Sequence, residues 1–207
     1  MKYDAVVVAS GKGERSNLGF NKVFFVMKNG LTVLENACQT FIEDKECSNI
    51  IVVTNDKDKV FKNKKVKIVS GGQRRQDSVI NGLKEVKEEF VLIHDGARPF
   101  VLKEDIEKLK KEVLNTNAAI LVSKSINTIK KVNNNIIEET IDRNVIYNAL
   151  TPQAFKTDLI KDAYSKCNNE TVTDDSLAVE KMDIKVHVVI GDESNIKLTN
   201  QKDFENI

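Results

Sequence analysis

Long apolar runs are missing from this 207-residue chain, and so is any surplus of charge of one sign. Its hydrophobic stretches reach a strand's length and stop, which excludes a membrane span. The first is followed at once by a polar loop, so no secretory leader is expected. The 32 basic and 31 acidic side chains nearly cancel, so there is no electrostatic footprint for DNA or RNA, and any anion site must be local. Cysteine is sparse. Cys38, Cys47 and Cys167 are odd in number and lack Cys-x-x-Cys spacing, which excludes a disulfide framework and a zinc knuckle and leaves ordinary buried or half-buried thiols. Internal repeats and low-complexity linkers are absent too. What is present is a hydrophobic content of 41%, ample for one core. The expectation is a single cytoplasmic domain spanning residues 1–207.

The order of elements reads as α/β. Tyr3-Asp4-Ala5-Val6-Val7-Val8 is a β-branched run suited to a parallel strand buried on both faces. Residues 33–42 carry apolar side chains at helical spacing, 49–54 form the next strand, and 67–69 a short third. A helix is expected over 77–83, a buried strand over 90–93, a helix over 104–113 and a strand over 118–122. That alternation is the mark of βαβ units and predicts a Rossmann-like, mostly parallel sheet with flanking helices. Residues 128–132 and 136–141 flank Asn133-Asn134-Asn135 and read as a β-hairpin. Two strands alone are marginally stable, so this arm, at about 125–143, is expected to be covered by a second subunit.

Chemistry gathers where strands end. Ala9-Ser10-Gly11-Lys12-Gly13-Glu14-Arg15, with Lys22 beyond it, follows the first strand at the edge where open α/β sheets bind ligands. Gly11 and Gly13 let backbone N–H groups approach a phosphate, and Lys12, Arg15 and Lys22 add positive charge. A plain strand-to-helix turn would account for the glycines; Arg15 and Lys22 favour an anion cradle. Neither the Walker pattern nor the dinucleotide fingerprint fits, since residue 16 is Ser. His94-Asp95-Gly96-Ala97-Arg98-Pro99 ends a nearly all-apolar strand. Asp95 either caps a turn or holds a hard divalent ion beside substrate phosphates, Arg98 pairs with it or contacts phosphate, and His94 reads as a packed strand-end residue. Gly71-Gly72 with Asp77-Ser78 suits either a helix cap or the edge of a planar base. Thr173-Asp174-Asp175-Ser176 resembles a helix N-cap that also suits phosphate. Asn195-Ile196-Lys197-Leu198-Thr199 sets a lysine among strand-like residues.

In that order, Gly-x-Gly-x-Arg then Lys, Gly-Gly with Arg-x-Asp-Ser-Val, His-Asp-Gly-Ala-Arg-Pro, Asp-Arg-Asn, Leu-Thr-Pro-Gln-Ala-Phe, Val-Thr-Asp-Asp and Asn-Ile-Lys make the chain resemble the 2-C-methyl-D-erythritol 4-phosphate cytidylyltransferases from Val6 to about Thr199. The resemblance implies CTP and Mg²⁺ or another divalent cation, transfer of CMP to the polyol phosphate with release of pyrophosphate, and a homodimer interlocked by the arm. It gives Arg15, Lys22 and Lys197 catalytic roles in charge stabilisation. Ala9, Ser10, Gly11, Gly13, Gly71, Gly72, Ser78 and Gly96 fall to the nucleotide, and Asp95 to the metal and substrate. Thr128, Arg143, Thr151 and Thr173 fall to the acceptor, the first two in the neighbouring subunit's site. The family's Pro-Lys-Gln around the first catalytic lysine is here Asn21-Lys22-Val23, and Ser10 stands for a typical Ala. Ribitol 5-phosphate cytidylyltransferases share many of these motifs, but Gly96-Ala97 favours the methylerythritol enzymes, since Ser-Val is more typical of the ribitol ones. A nucleotide-binding module without catalysis is the alternative from another class. A dinucleotide-dependent oxidoreductase is disfavoured for want of a ribose-binding acid.

Overall fold

Val6 and its neighbours build the first strand of a seven-stranded sheet in the computed structural model, which describes residues 1–11, 13, 16, 18–167, 170–205 and 207. In chain order the strands and helices are β1 (Tyr3–Val8), α1 (Val33–Glu43), β2 (Cys47–Val53), β3 (Val66–Val69), α2 (Arg75–Leu83), β4 (Phe90–Asp95), α3 (Lys103–Thr116) and β5 (Ala118–Lys124). Then come β6 (Ile129–Asn133), β7 (Ile136–Ile141), β8 (Tyr147–Lys156), α4 (Thr157–Lys166), α5 (Asp175–Glu180) and β9 (His187–Ile190). The sheet order is β3-β2-β1-β4-β8-β5-β9. Only β8 runs against the rest, paired antiparallel to both β4 and β5.

Alternation along β1 explains the layers. Ala5 and Val7 enter the core that holds Leu34, Cys38 and Phe41 of α1 and Ile106, Leu109 and Val113 of α3. Val6 faces the other way, into the core that holds Val79 and Leu83 of α2, Ile160 and Ala163 of α4, and Val179 of α5. Helices on both faces bury both sides of the central strands, as an open parallel sheet requires. Its carboxyl edge, where β1, β2 and β4 all end, stays open for chemistry. Among the described residues no helix is long and apolar enough to cross a membrane. All three cysteines are buried and free, with burial pushing the Cys38 and Cys47 thiols up.

The expected elements are present, with ends that differ by up to three residues. β8 escaped the periodicity reading because Pro152 and Gln153 interrupt its apolar pattern, whereas the helix N-cap expected at 173–176 is present, with Asp174 capping α5. The strand-like 195–199 segment is irregular instead: Ile196 is exposed, while Asn195 and Leu198 are buried. The hairpin forms as β6–β7 with Asn134 and Asn135 at φ 47° and 63°, the left-handed pair a tight two-residue turn needs.

Away from the ligand edge, Lys110 of α3 knots the opposite end of the domain. Its ammonium lies 2.9 Å from Asp44, 2.5 Å from Glu46 and 2.8 Å from Glu107, and the Tyr3 hydroxyl donates to Asp44 at 3.0 Å. Three converging carboxylates are a potential cation site, and here the lysine is the cation. Burial disfavours its charge, but the carboxylates outweigh this and hold it above the ordinary lysine range. Lys110→Met would leave buried Asp44 without its counter-charge. The expected loss is about 3 kcal/mol, a fall of roughly 6–12 °C in melting temperature for a chain of this size. A thermal unfolding scan checks it, and an unchanged midpoint would refute the role of this knot.

Candidate active site

At the end of β4, Asp95 is buried, 7% exposed. Its Oδ1 accepts from Nε of Arg75 at 3.2 Å, and its Oδ2 accepts from Lys197 at 2.6 Å. The Arg98 guanidinium approaches Oδ2 to 3.9 Å. Burial would push this carboxyl up, but Arg75, Lys197 and Arg98 outweigh it and hold Asp95 well below the usual carboxylate range. An ionised acid surrounded by cations at a strand end is an electrostatic hub. Arg98 is fixed through Nη1, which donates to the Asn195 carbonyl at 2.7 Å. Among the described residues its buried Nε has no hydrogen-bond partner, leaving a donor beside Asp95.

Directly behind this hub stands His94, fully buried. Its Nε2 lies 3.0 Å from the Arg98 carbonyl, an acceptor, so that nitrogen carries the proton and Nδ1 accepts from the Thr151 hydroxyl at 2.9 Å. Burial pushes the imidazole down to about 4, so it is neutral near pH 7. The Thr151 oxygen also accepts the Asp95 N–H at 3.1 Å. Thr151 is therefore engaged behind Asp95, and its hydroxyl already serves two neighbours. His94 is the packed residue that its setting in an apolar strand suggests.

The nucleotide side forms around the end of β1. Gly13 has φ 71°, and a Cβ there would sit 3.2 Å from the backbone nitrogen of Lys22, so the loop and the lysine's turn are in close contact. Arg15 and Lys12 lie outside the described residues. Lys22 is buried at 9% exposure and opens a short 3₁₀ turn, Lys22–Phe24. What holds it is Asn21. The Asn21 amide donates to the Ala9 carbonyl at 2.9 Å and approaches Asp56 at 3.3 Å, while its oxygen receives the Val23 N–H at 3.4 Å. Its φ of −65° is the value a proline ring would fix. Val23 is buried in the core with Val7 and Leu34. Hydrogen bonds and burial thus give this turn the anchorage that a proline supplies covalently.

Gly71 packs against the same loop, since a Cβ on it would fall 2.3 Å from the Ser10 Cβ. The Gly71 N–H donates to Asn55 at 3.0 Å, and the Gly72 N–H to the Ser78 hydroxyl at 2.9 Å. Ser10 and Ser78 hydroxyls are 2.8 Å apart. Gly11 lies exposed at the rim, and the Gly96 N–H donates to the Val8 carbonyl at 2.9 Å, joining the ends of β1 and β4. Ser10, Gly71, Gly72 and Ser78 are therefore joined in one cluster at the carboxyl edge, with Ser78 buried, and Ala9 and Gly96 lie buried beside the end of β1.

Thr173 is exposed just before the Asp174 N-cap of α5. Thr128 and Arg143 lie on the arm, where Arg143 donates to the Ile126 carbonyl at 3.2 Å. Among the described residues, neither is hydrogen-bonded to a group at the ends of β1 or β4. The residues that sequence reasoning left without a role are Asn21, Asn55, Arg75, Asp175 and Asn195. The paired Arg74-Arg75 was the available signal, but which arginine turns inward depends on the phase of α2: Arg74 pairs with Asp77 at 2.8 Å on the surface.

A family model described as 2-C-methyl-D-erythritol 4-phosphate cytidylyltransferase matches residues 3–206. Proteins of that name from Halalkalibacterium halodurans and Clostridioides difficile are 38% and 37% identical to this chain. The alignments cover 99% and 98% of it, and 94% and 90% of those relatives. The 4-diphosphocytidyl-2C-methyl-D-erythritolsynthase of Anaerococcus prevotii has a similar solved structure, with TM-score 0.85, 34% identity and coverage of 98% of this chain and 93% of that one. The Francisella tularensis 2-C-methyl-D-erythritol 4-phosphate cytidylyltransferase gives 0.84 at 29% identity, covering 98% and 96%. With agreement running from the first strand to the last helical turn, the chain belongs to the 2-C-methyl-D-erythritol 4-phosphate cytidylyltransferase family.

Proposed function

We propose that this protein transfers CMP from CTP to 2-C-methyl-D-erythritol 4-phosphate, giving 4-diphosphocytidyl-2-C-methyl-D-erythritol and pyrophosphate in the non-mevalonate isoprenoid pathway, as a cytoplasmic enzyme. The observation that carries this reading is the hub at Asp95. Arg75, Arg98 and Lys197 surround one buried carboxylate at the carboxyl edge, beside the Lys22 turn and the Gly71–Ser10 surface. Two polyanions must meet for a phosphate to attack a triphosphate, and several cations are needed to offset their repulsion.

The Ala9–Gly13 loop, with Arg15 and Lys22, binds the triphosphate. Gly71, Gly72, Ser10 and Ser78 bind the base, and Gly96 lies beside the ribose. The acceptor's phosphate oxygen attacks the α-phosphorus in line, and pyrophosphate leaves. Lys22 and Lys197 stabilise the charge on the pentacoordinate phosphorus. The acceptor phosphate is already ionised near neutral pH, so no general base is required. Thr173 and Thr151 belong to the acceptor side, Thr151 through its support of Asp95.

A divalent cation such as Mg²⁺ suits Asp95. The donor is one hard carboxylate, and its Oδ2 is held by a lysine whose side chain is 38% exposed and can be exchanged. One or two carboxylates plus phosphates and water are the usual environment for that ion. Bound there, it would neutralise phosphate charge.

The arm makes the enzyme a homodimer. Val132, Ile136 and Ile137 are 55%, 70% and 60% exposed, more apolar surface than an isolated ribbon keeps in water. Thr128 and Arg143 would then reach the partner's acceptor site.

Pyrophosphate release from CTP and Mg²⁺, with each polyol phosphate offered separately, tests the reaction. Release with 2-C-methyl-D-erythritol 4-phosphate is expected; preference for ribitol 5-phosphate, or silence with both, would overturn it. In the same assay Lys22→Ala should lower kcat on the order of 100-fold or more, and a folded variant with full activity removes Lys22 from the mechanism. Asn21→Ala, which deletes the bonds to Ala9 and Val23, should cost about fivefold to tenfold in kcat/KM, with Asn21→Pro losing less; equal loss in both would show that φ at this position is not what matters. Light scattering should give twice the 23.3 kDa chain mass for the wild type. A doubly charged Ile136→Lys, Ile137→Glu variant should be monomeric and nearly inactive, whereas a fully active monomer would contradict the shared site.

A further inference from the structure

Arg75 is assigned to neither substrate in the proposed reaction, yet it sits at the centre of the polar network. Its guanidinium is divided between two acids. Nη1 and Nη2 donate to Asp175 at 3.0 and 2.8 Å, a parallel two-pronged contact, and Nε donates to Asp95 Oδ1 at 3.2 Å. Asp175 is fully buried and also accepts the Tyr164 hydroxyl at 2.5 Å. Burial opposes the charge on Arg75, but Asp175 and Asp95 outweigh it and hold the guanidinium above its ordinary range.

The segment carrying Asp175 is itself pinned. Gln153 of β8 accepts the Ser176 N–H at 2.9 Å and donates to Asp174 at 3.0 Å. Gln76, the residue after Arg75, accepts the Val172 N–H and donates to the Glu170 carbonyl, both at 3.0 Å. Asp175 is therefore a fixed point, and Arg75 transmits its position to Asp95. The two Asp95 oxygens are held differently: Oδ1 by an arginine locked to a buried acid, Oδ2 by the more exposed Lys197. Only the second is free to change partners without disturbing the core.

We propose that Arg75, clamped by Asp175, is a positioning residue that fixes the Asp95 carboxylate with Oδ2 turned to the ligand side and ties the end of β4 to the loop bearing Thr173. A planar fork is needed for this, because one side chain must meet Asp175 with two donors and Asp95 with a third; a lysine ammonium keeps the charge and loses the geometry. The inference rests on the role given to Asp95 in the proposed reaction.

Arg75→Lys and Asp175→Asn test it, with kcat and the KM for each substrate measured beside the wild type, and melting temperature recorded to count folded protein. Arg75→Lys should lower kcat by at least about tenfold while moving either KM by less than about threefold. Asp175→Asn keeps the shape and the Tyr164 contact, and should lower kcat in the same way. The double variant should be no worse than the more impaired single one, since both changes break one chain of contacts. A purely structural pair would instead reduce the amount of folded protein and leave kcat per folded molecule unchanged, which would overturn the inference. If Arg75→Lys does not fold, Asp175→Asn decides, and wild-type kcat in that variant overturns it. Silence from the wild type itself would overturn the proposed reaction and this inference with it.

Discussion

A carboxylate buried at the end of a sheet strand stays ionised only if opposite charge is brought to it, and Asp95 collects that charge from three separate parts of the chain. Arg75 comes from the first turn of α2, Arg98 from the turn after β4, and Lys197 from the irregular C-terminal segment, 102 residues away in sequence. The Lys197 contact closes a loop of 102 residues, so the hub also holds the C-terminal segment against the sheet. With Asp95 and Asp175 opposing Arg75, Arg98 and Lys197, one positive charge remains over. Attraction for a polyphosphate is local, as the balanced charge of the whole chain requires.

Around that hub the protein relies on fixed geometry more than on abundance of ligands. Lys22 is held by a turn whose entry residue, Asn21, reaches back to the Ala9 carbonyl at the end of β1. Gly71 is pressed against Ser10, so the first loop and the Gly-Gly segment form a single wall. His94 and Thr151 form a neutral hydrogen-bonded support behind Asp95. Preorganisation of this kind suits a reaction whose barrier is mostly the cost of assembling charges, because groups already in place need not reorganise as charge develops.

The β6–β7 arm follows a different logic. Its Val132, Ile136 and Ile137 are exposed and gain nothing until another surface covers them. Placing Thr128 and Arg143 there links assembly with the acceptor side in the proposed dimer.

Strand and helix identity was legible because it depends on local periodicity: β1 reads as buried from its β-branched run, and α1 from apolar residues at helical spacing. Gly13 and the Asn-rich hairpin turn were legible for a similar reason, since the positive φ at those points admits few residue types, and Asp95 because a carboxylate ends an otherwise nearly all-apolar strand. Asn21 in place of proline left open what anchors Lys22, because a side-chain amide states a capacity for hydrogen bonds without naming their partners. The reversed strand β8 between β4 and β5, and the choice of Arg75 over Arg74 as the inward-facing arginine, were not legible at all. By itself the sequence determined the order of elements as far as the β6–β7 arm and the inventory of charges. Only the tertiary structure decided which charges meet, because pairing across 20, 100 or 102 residues is set by sheet order and helix phase, and neither is a property of any local stretch of chain.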